Sequence, residues 1–331
     1  MVSALHIALM AMTINSFMFD TDLRCFIRNY YVILPLDIMT TRQDTIWEKF
    51  LSPVFRLLID EKALREYNDS VDWEKECNYI RRPDVITPTY YSSQNFHGIK
   101  GGYLTSGAAV TYDPITQYVV PPNETWVRQG LIDAVRVQPR RILDIGCGTG
   151  TGTIMLKRAY PEAEVIGLDL SPYMLVRSQH KANEAGLNIN WRHSDAEKTG
   201  FPDASFDLIT ASLLFHETPP AVTVGILREC LRLLTTGGQV LVLDGNQTTM
   251  RQLEFLHNVF EEPYIRDFSA GSVDAWMGAA GFEAVQTQDI LLIHQVTSAV
   301  KPIINGETAA NKNVRTYTPY NTGLQGFPSP A

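Results

Sequence analysis

The sequence has few cysteines, no cluster of basic residues and no long uninterrupted apolar run. Its 331 residues include four cysteines, at spacings typical of neither a metal site nor a disulfide framework. We therefore expect reduced thiols in a cytoplasmic protein. The net charge is −8, and binding nucleic-acid phosphates needs clustered Lys and Arg. We accordingly expect no nucleic-acid partner, while the 45% apolar content predicts a packed globular chain.

The first 42 residues are an uncertain segment. The stretch Val2 to Phe19 is rich in apolar residues but contains polar ones such as His6 and Asn15. No Lys or Arg precedes it and no small-residue cleavage pattern follows, which makes it a poor signal peptide. It is also marginal in length and polarity for a membrane span, so we expect no stable span. Three interpretations stay open: translation that begins at Met39, a weak anchor or targeting segment, and a packed helix.

The middle of the sequence has a strand pattern, a glycine-rich turn and a helix pattern in immediate succession. An apolar run at 141–145, interrupted by Asp144, precedes glycines at 146, 148, 150 and 152. This layout brings bare backbone against a ligand at a helix N-terminus. A dinucleotide-binding fingerprint would need a third glycine at 151 or 153. Both positions are threonine, which disfavours a nicotinamide oxidoreductase.

Two more acidic residues follow the next two strand patterns. The strand predicted at 164–168 is followed by Asp169, and the strand predicted at 188–193 leads to Asp195. With the D-x-G-x-G-x-G pattern that begins at Asp144, this order and spacing resemble class I S-adenosylmethionine-dependent methyltransferases.

The resemblance implies S-adenosyl-L-methionine as the cofactor and gives each motif a role. Asp144 and the glycine turn would hold the methionine end, Asp169 would bind both ribose hydroxyls, and Asp195 would accept from the adenine amine. A carboxylate accepts two hydrogen bonds, and charge-assisted bonds are the stronger kind. The resemblance covers roughly residues 126 to 297. It implies these cofactor-binding residues: Asp144, Gly146, Cys147, Gly148, Gly150, Asp169, Leu170, Asp195, Ala196 and Ala211.

The acceptor is expected to be a small molecule. Methyltransferases that act on base amines carry an Asp/Asn/Ser-Pro-Pro-aromatic motif after the fourth strand, where this chain has Ala211 to Leu214. The apolar stretch Leu213 to Phe215 favours a small, partly lipophilic acceptor, and the layout is similar to the branch with quinone and sterol methyltransferases. The resemblance implies in-line methyl transfer to oxygen or carbon. The alternative is a non-catalytic cofactor-binding interaction or regulatory protein of the same fold.

His216 is the candidate catalytic base, because it follows the fourth strand and imidazole titrates near neutral pH. Two alternatives stay open for it, namely positioning of substrate or cofactor and a structural role in the loop. Glu217 could orient His216 or cap the next helix. No metal site and no particular oligomeric state are predicted.

Alternating strand and helix patterns predict an α/β fold with a Rossmann-like, seven-stranded, doubly wound sheet. The sheet should be mostly parallel with an antiparallel C-terminal hairpin at 282–286 and 290–295, and an N-terminal helical cap should precede it. Residues 83–122 are predicted as loop with short strands. The resemblance implies that this segment lies across the cofactor and donates an aromatic side chain to the pocket, and packing stays open as the alternative role for each of its tyrosines. The predicted divisions are the segment 1–42, the cap region 43–120, the methyltransferase domain 121–300 and a disordered tail 301–331.

Overall fold

The computed structural model describes residues 59–97, 99–120, 123–253, 262–291 and 293–303. The predictions for the N-terminal segment and for the helices at 43–58 lie outside these residues. So does nearly all of the predicted tail. The division of the chain into four parts stays a prediction.

A single seven-stranded sheet forms the centre of the structure. Its strands are β1 Arg141–Ile145, β2 Glu164–Asp169, β3 Asn190–His193, β4 Phe206–Ser212, β5 Leu234–Gly245, β6 Glu283–Ile290 and β7 His294–Val300. They are ordered β3-β2-β1-β4-β5-β7-β6. Neighbours from β3 to β5 pair in parallel, and β7 runs antiparallel to both β5 and β6. The predicted mostly parallel sheet with an antiparallel C-terminal hairpin is confirmed.

Helices cover both faces of this sheet. Their bounds are α1 Glu61–Ser70, α2 Trp73–Ile80, α3 Thr89–Ser92, α4 Ser106–Val119, α5 Glu124–Asp133, α6 Thr151–Ala159, α7 Pro172–Glu184, α8 Pro220–Leu233, α9 Gln247–Gln252, α10 Ile265–Ala270 and α11 Val273–Ala280. Successive strand residues point to opposite faces, so Ile142 and Leu143 belong to two separate buried cores. One core packs against α8 and α11 and the other against α5 and α6, which confirms the doubly wound arrangement.

The prediction of loop with short strands at 83–122 is wrong over much of its length. The segment contains α3 and the fourteen-residue helix α4, whose first turn is capped by Thr105 accepting from Ala108 N at 3.2 Å. Residues 107–111 are all buried, so this part of the helix has no polar face, and its sequence lacks the alternation of polar and apolar residues that marks a helix. Pro114 within the helix further masks the pattern. Helical periodicity is visible in a sequence only when one face of the helix meets water.

The C-terminal hairpin lies later in the chain than predicted. The edge strand β6 is mostly polar and largely exposed, and it pairs only with β7 within the described sheet. An exposed edge strand does not need apolar residues. A prediction based on apolar runs therefore places both strands too early in the chain. The strands predicted at 164–168 and 188–193 agree with β2 and β3 within a few residues. At the start of α7, Ser171 Oγ accepts from Met174 N at 3.3 Å and caps the helix.

Polar contacts attach the N-terminal helices to the sheet domain. His180 on α7 bonds Tyr67 Oη at 2.8 Å and Glu76 Oε2 at 2.7 Å. Arg82 N donates to His193 Nδ1 at 3.0 Å. His180 therefore links α1 and α2 to α7. In the described ranges, none of the helices is long and apolar enough to cross a bilayer.

Candidate active site

The glycine turn after β1 adopts backbone conformations that would be strained for any residue with a side chain. Gly146, Gly148 and Gly150 have φ of 64°, 54° and 79°, in the left-handed region where a Cβ is costly. A Cβ on Gly150 would come within 2.6 Å of the Trp191 ring, so the tight packing also excludes a side chain. Gly148 has open space in front of it, with only the Tyr112 ring at 4.0 Å. The turn therefore presents bare main chain to the space outside the sheet.

Asp169, at the end of β2, binds this turn directly. Its Oδ2 accepts from Gly148 N at 2.8 Å and its Oδ1 accepts from Ser171 N at 2.8 Å. Burial raises the pKa of the Asp169 carboxyl to about 6, although these backbone N–H groups favour its charged form. A carboxylate has about four lone-pair positions. Two of them remain for a ligand with two hydroxyl groups.

A cleft opens at the carboxyl ends of the parallel strands and encloses about 740 Å³ of empty space, including the part open to solvent. Ligands of open α/β sheets bind at this edge, near the point where strand order reverses. Six of the predicted cofactor-binding residues line the cleft: Gly146, Gly148, Asp169, Leu170, Asp195 and Ala196.

The other four predicted residues are not among those that line the cleft, and contact of Asp144 with the cofactor stays a prediction. Its carboxylate is buried and accepts from Thr153 Oγ1 at 2.6 Å and Thr210 Oγ1 at 2.7 Å. Asp144 thus ties β1 to β4 and α6 beneath the turn. The apolar periodicity of the sequence does not reveal these two threonine partners, because they lie on a different helix and a different strand from Asp144.

Cys147, Gly150 and Ala211 also support the turn rather than line the cleft. Cys147 N donates to Leu168 O at 3.0 Å, and burial raises the pKa of its thiol. Gly150 is the N-cap residue of α6, and Ala211 is packed in the core on β4. Their small size is what the packing requires.

The segment before β1 contributes four aromatic side chains to the cleft. The cleft lining includes Tyr90, Tyr91, Tyr103 and Tyr112. Tyr103 and Tyr112 meet edge to face at 5.8 Å between ring centroids. Leu213 and Leu214, which follow β4, also line the cleft. The cleft lining therefore combines acidic side chains and bare main chain with aromatic and apolar side chains.

A neighbouring carboxylate holds the ring of His216 in place. Its Nδ1 lies 2.6 Å from Asp244 Oδ1, and Asp244 also accepts from Phe215 N at 2.9 Å. Burial lowers the pKa of the imidazole, but Asp244, Glu217 and Glu262 outweigh it and raise the pKa to about 10. The role of His216 as catalytic base stays a prediction, and the contact with Asp244 fixes the orientation of its ring.

Glu217, not His216, lines the cleft. Its Oε1 accepts from Tyr103 Oη at 2.9 Å and lies 3.9 Å from His216 Nε2. Burial, and then the neighbouring Glu262 carboxylate, raise the pKa of Glu217. The proposal that Glu217 caps α8 is wrong, since that helix starts after Pro219 without a side-chain cap. Asp244, near the end of β5 at the same sheet edge, is the residue that orients His216.

Comparison with known proteins agrees with this geometry. Residues 142–238 match the sequence model of a family described as Methyltransferase domain. The demethylmenaquinone methyltransferase of Deinococcus radiodurans is 38% identical over 119 residues, which is 36% of this chain and 48% of that protein. The demethylmenaquinone methyltransferase of Geobacillus kaustophilus is 34% identical over 155 residues, which is 45% of this chain and 65% of that protein.

The matched regions cover about half to two thirds of the length of these curated relatives. Among solved structures, phosphoethanolamine N-methyltransferase 2 of Haemonchus contortus matches with a TM-score of 0.49 at 17% identity, over 61% of this chain and 58% of that chain. The strand order, the glycine turn and the family match together define a class I S-adenosylmethionine-dependent methyltransferase domain. The chain carries this domain, which is similar to that of the quinone methyltransferases.

Proposed function

We propose that this protein transfers the methyl group of S-adenosyl-L-methionine to oxygen or carbon of a small, partly lipophilic organic acceptor. The observation that carries the proposal is Asp169, whose carboxylate holds Gly148 N while facing the cleft. This arrangement leaves acceptor positions for the two ribose hydroxyls beside a turn of bare backbone. The curated relatives are named demethylmenaquinone methyltransferases, which favours a quinol-like acceptor.

Each part of the cofactor has a partner in the cleft. Gly146 and Gly148 face the methionine end with main chain, Asp169 accepts from the ribose, and Asp195 accepts from the adenine amine. Leu170 and Ala196 line the cleft near these acids and supply apolar contact for the adenine ring. The cofactor's positive sulfur would then lie between the glycine turn and the tyrosines.

The acceptor would lie against the aromatic and apolar side chains of the cleft. Tyr90, Tyr91, Leu213 and Leu214 provide contact area for a flat lipophilic ring. The sulfonium is already a strong electrophile, so the protein's main task is to align the acceptor atom behind the methyl carbon. Such alignment can remove on the order of 7 kcal/mol or more from the barrier.

Calorimetry with S-adenosylmethionine, followed by incubation of the labelled cofactor with a panel of quinols and other phenols, tests the proposal. We expect cofactor binding at tens of micromolar or tighter and label transfer to at least one acceptor. Absence of binding in that range would rule the proposal out. Binding with no transfer to any acceptor in the panel or in cell extract would instead support the non-catalytic alternative.

A further inference from the structure

Two histidines and two glutamates meet beside the cleft in a cluster that cofactor binding does not use. His97 lies between α3 and α4, His216 and Glu217 follow β4, and Glu262 precedes α10. They come from three separate stretches of the chain. Glu217 belongs to both the cluster and the cleft lining. We call this set the His/Glu cluster.

The imidazoles of the cluster converge on one carboxylate. His97 Nε2 and His216 Nε2 each lie 3.9 Å from Glu217 Oε1. One ligand atom from each of the three residues falls within 4.8 Å of the others. Tetrahedral zinc with nitrogen and oxygen ligands holds neighbouring ligand atoms about 3.3 Å apart. Small side-chain rotations would therefore bring the three atoms to bonding distance of one ion.

A second carboxylate stands behind each imidazole. Asp244 Oδ1 lies 2.6 Å from His216 Nδ1, and Glu262 Oε1 lies 2.9 Å from His97 Nδ1. Histidines that ligate metals generally donate their other ring N–H to such a carboxylate, which fixes the tautomer and the ring orientation. In both residues the arrangement leaves Nε2 as the nitrogen directed at Glu217.

Glu262 supplies an independent sign that a cation belongs here. Its side chain is fully buried, and its Oε2 has no hydrogen-bond partner within the described part of the chain. A buried carboxylate oxygen without a partner is costly. Its other oxygen also accepts from His97 N at 2.9 Å, and His97 is held at a φ of 50°. Backbone strain at a non-glycine residue concentrates at functional sites.

We propose that His97 Nε2, His216 Nε2 and Glu217 bind a divalent transition-metal ion, with zinc as the ion that this ligand set suits best. Two imidazoles and one carboxylate form the ligand set of catalytic zinc sites, which keep a further position open for water or substrate. Because Glu217 lines the cleft, the open position would face the acceptor.

The role of the ion rests on the proposed methyl transfer. A hydroxyl oxygen of the acceptor would bind at the open position, and its proton would leave to solvent water as the ion stabilises the oxygen anion. That oxygen then forms a bond to the methyl carbon, the carbon–sulfur bond breaks, and its electron pair stays on sulfur to give S-adenosylhomocysteine. This assignment favours an oxygen acceptor over carbon.

Zinc titration of the chelator-treated full chain, followed by calorimetry, tests the site without cofactor or acceptor. We expect about one ion per chain, and Co²⁺ in its place should give the visible absorption of a four-coordinate ion. Glu217→Gln keeps the side-chain shape and should weaken zinc binding by about 100-fold or more. Glu262→Gln should weaken it about 10- to 100-fold, as outer partners of metal ligands do.

The matched control is His180→Gln, which removes an imidazole that bonds Tyr67 and Glu76 outside the cluster. It should bind zinc as tightly as the unaltered protein. Circular dichroism of each variant separates a lost ligand from a lost fold. Equal zinc affinity in the unaltered protein and in folded Glu217→Gln overturns the site. Cofactor calorimetry on metal-free protein reports separately on the proposed function, so either proposal can fail alone.

Discussion

Replacing Asp169 provides the sharpest test of how the cleft holds its cofactor. In the structure both carboxylate oxygens already accept one backbone N–H, and Asp169 lines the cleft. Two ribose hydroxyls would each add a hydrogen bond to a charged acceptor, worth about 1.5–3 kcal/mol apiece. At about 1.4 kcal/mol per factor of ten, Asp169→Ala should weaken cofactor binding at least 100-fold.

The pH dependence of binding gives a second measure of the same contact. The pKa of Asp169 in the free protein is raised to about 6, chiefly by burial. Only the ionised form can accept from both hydroxyls. Affinity should therefore be full above pH 7 and should fall as pH drops through about 6, by up to tenfold per unit below it. Asp169→Asn should bind weakly and should lack this inflection.

Isothermal calorimetry at pH 7.5 and pH 5.5 measures both effects. The control is Asp203→Asn, because Asp203 lies in the exposed turn before β4, at the opposite end of the sheet from the cleft. It should leave both the affinity and its pH profile unchanged. An affinity for the cofactor that survives in folded Asp169→Ala would refute the ribose contact.

Three further outcomes follow from the site. Asp195→Asn should weaken cofactor binding about 10- to 100-fold, and an analogue with hydrogen in place of the adenine amine should bind equally to both proteins. Gly150→Ala should lower the free energy of unfolding by about 1–3 kcal/mol more than Gly186→Ala. Both positions have positive φ, but only the first would press a Cβ into an indole ring. Thr210→Val should cost about 1–3 kcal/mol, because it leaves a buried oxygen of Asp144 without its donor.

Denaturant unfolding measures the last two changes and calorimetry the first. The adenine contact is refuted if Asp195→Asn still distinguishes the cofactor from the analogue as the unaltered protein does. Equal destabilisation by Gly150→Ala and Gly186→Ala would show that Trp191 moves aside at little cost, which would contradict the tight packing around the turn. A Thr210→Val protein of unchanged stability would mean that Asp144 finds another donor.

Several parts of the fold were predictable because they depend on local patterns. The strand, turn and helix around Gly146 to Gly150 follow from apolar periodicity and from the conformational freedom of glycine. Asp169 and Asp195 come at the ends of strands, and parallel strands bring their carboxyl ends to one edge. Helix α4 escaped prediction because its buried surroundings remove the alternation on which such a prediction depends.

The sequence by itself therefore determined the sheet, the glycine turn and the two acids that face the cleft, since short-range spacing encodes all of them. Only the tertiary structure decided that Asp144 lies beneath the turn, and that His97 and Glu262 meet although 165 positions separate them. Contacts of that kind depend on how packed elements meet in space. The spacing of residues along one chain does not encode that geometry.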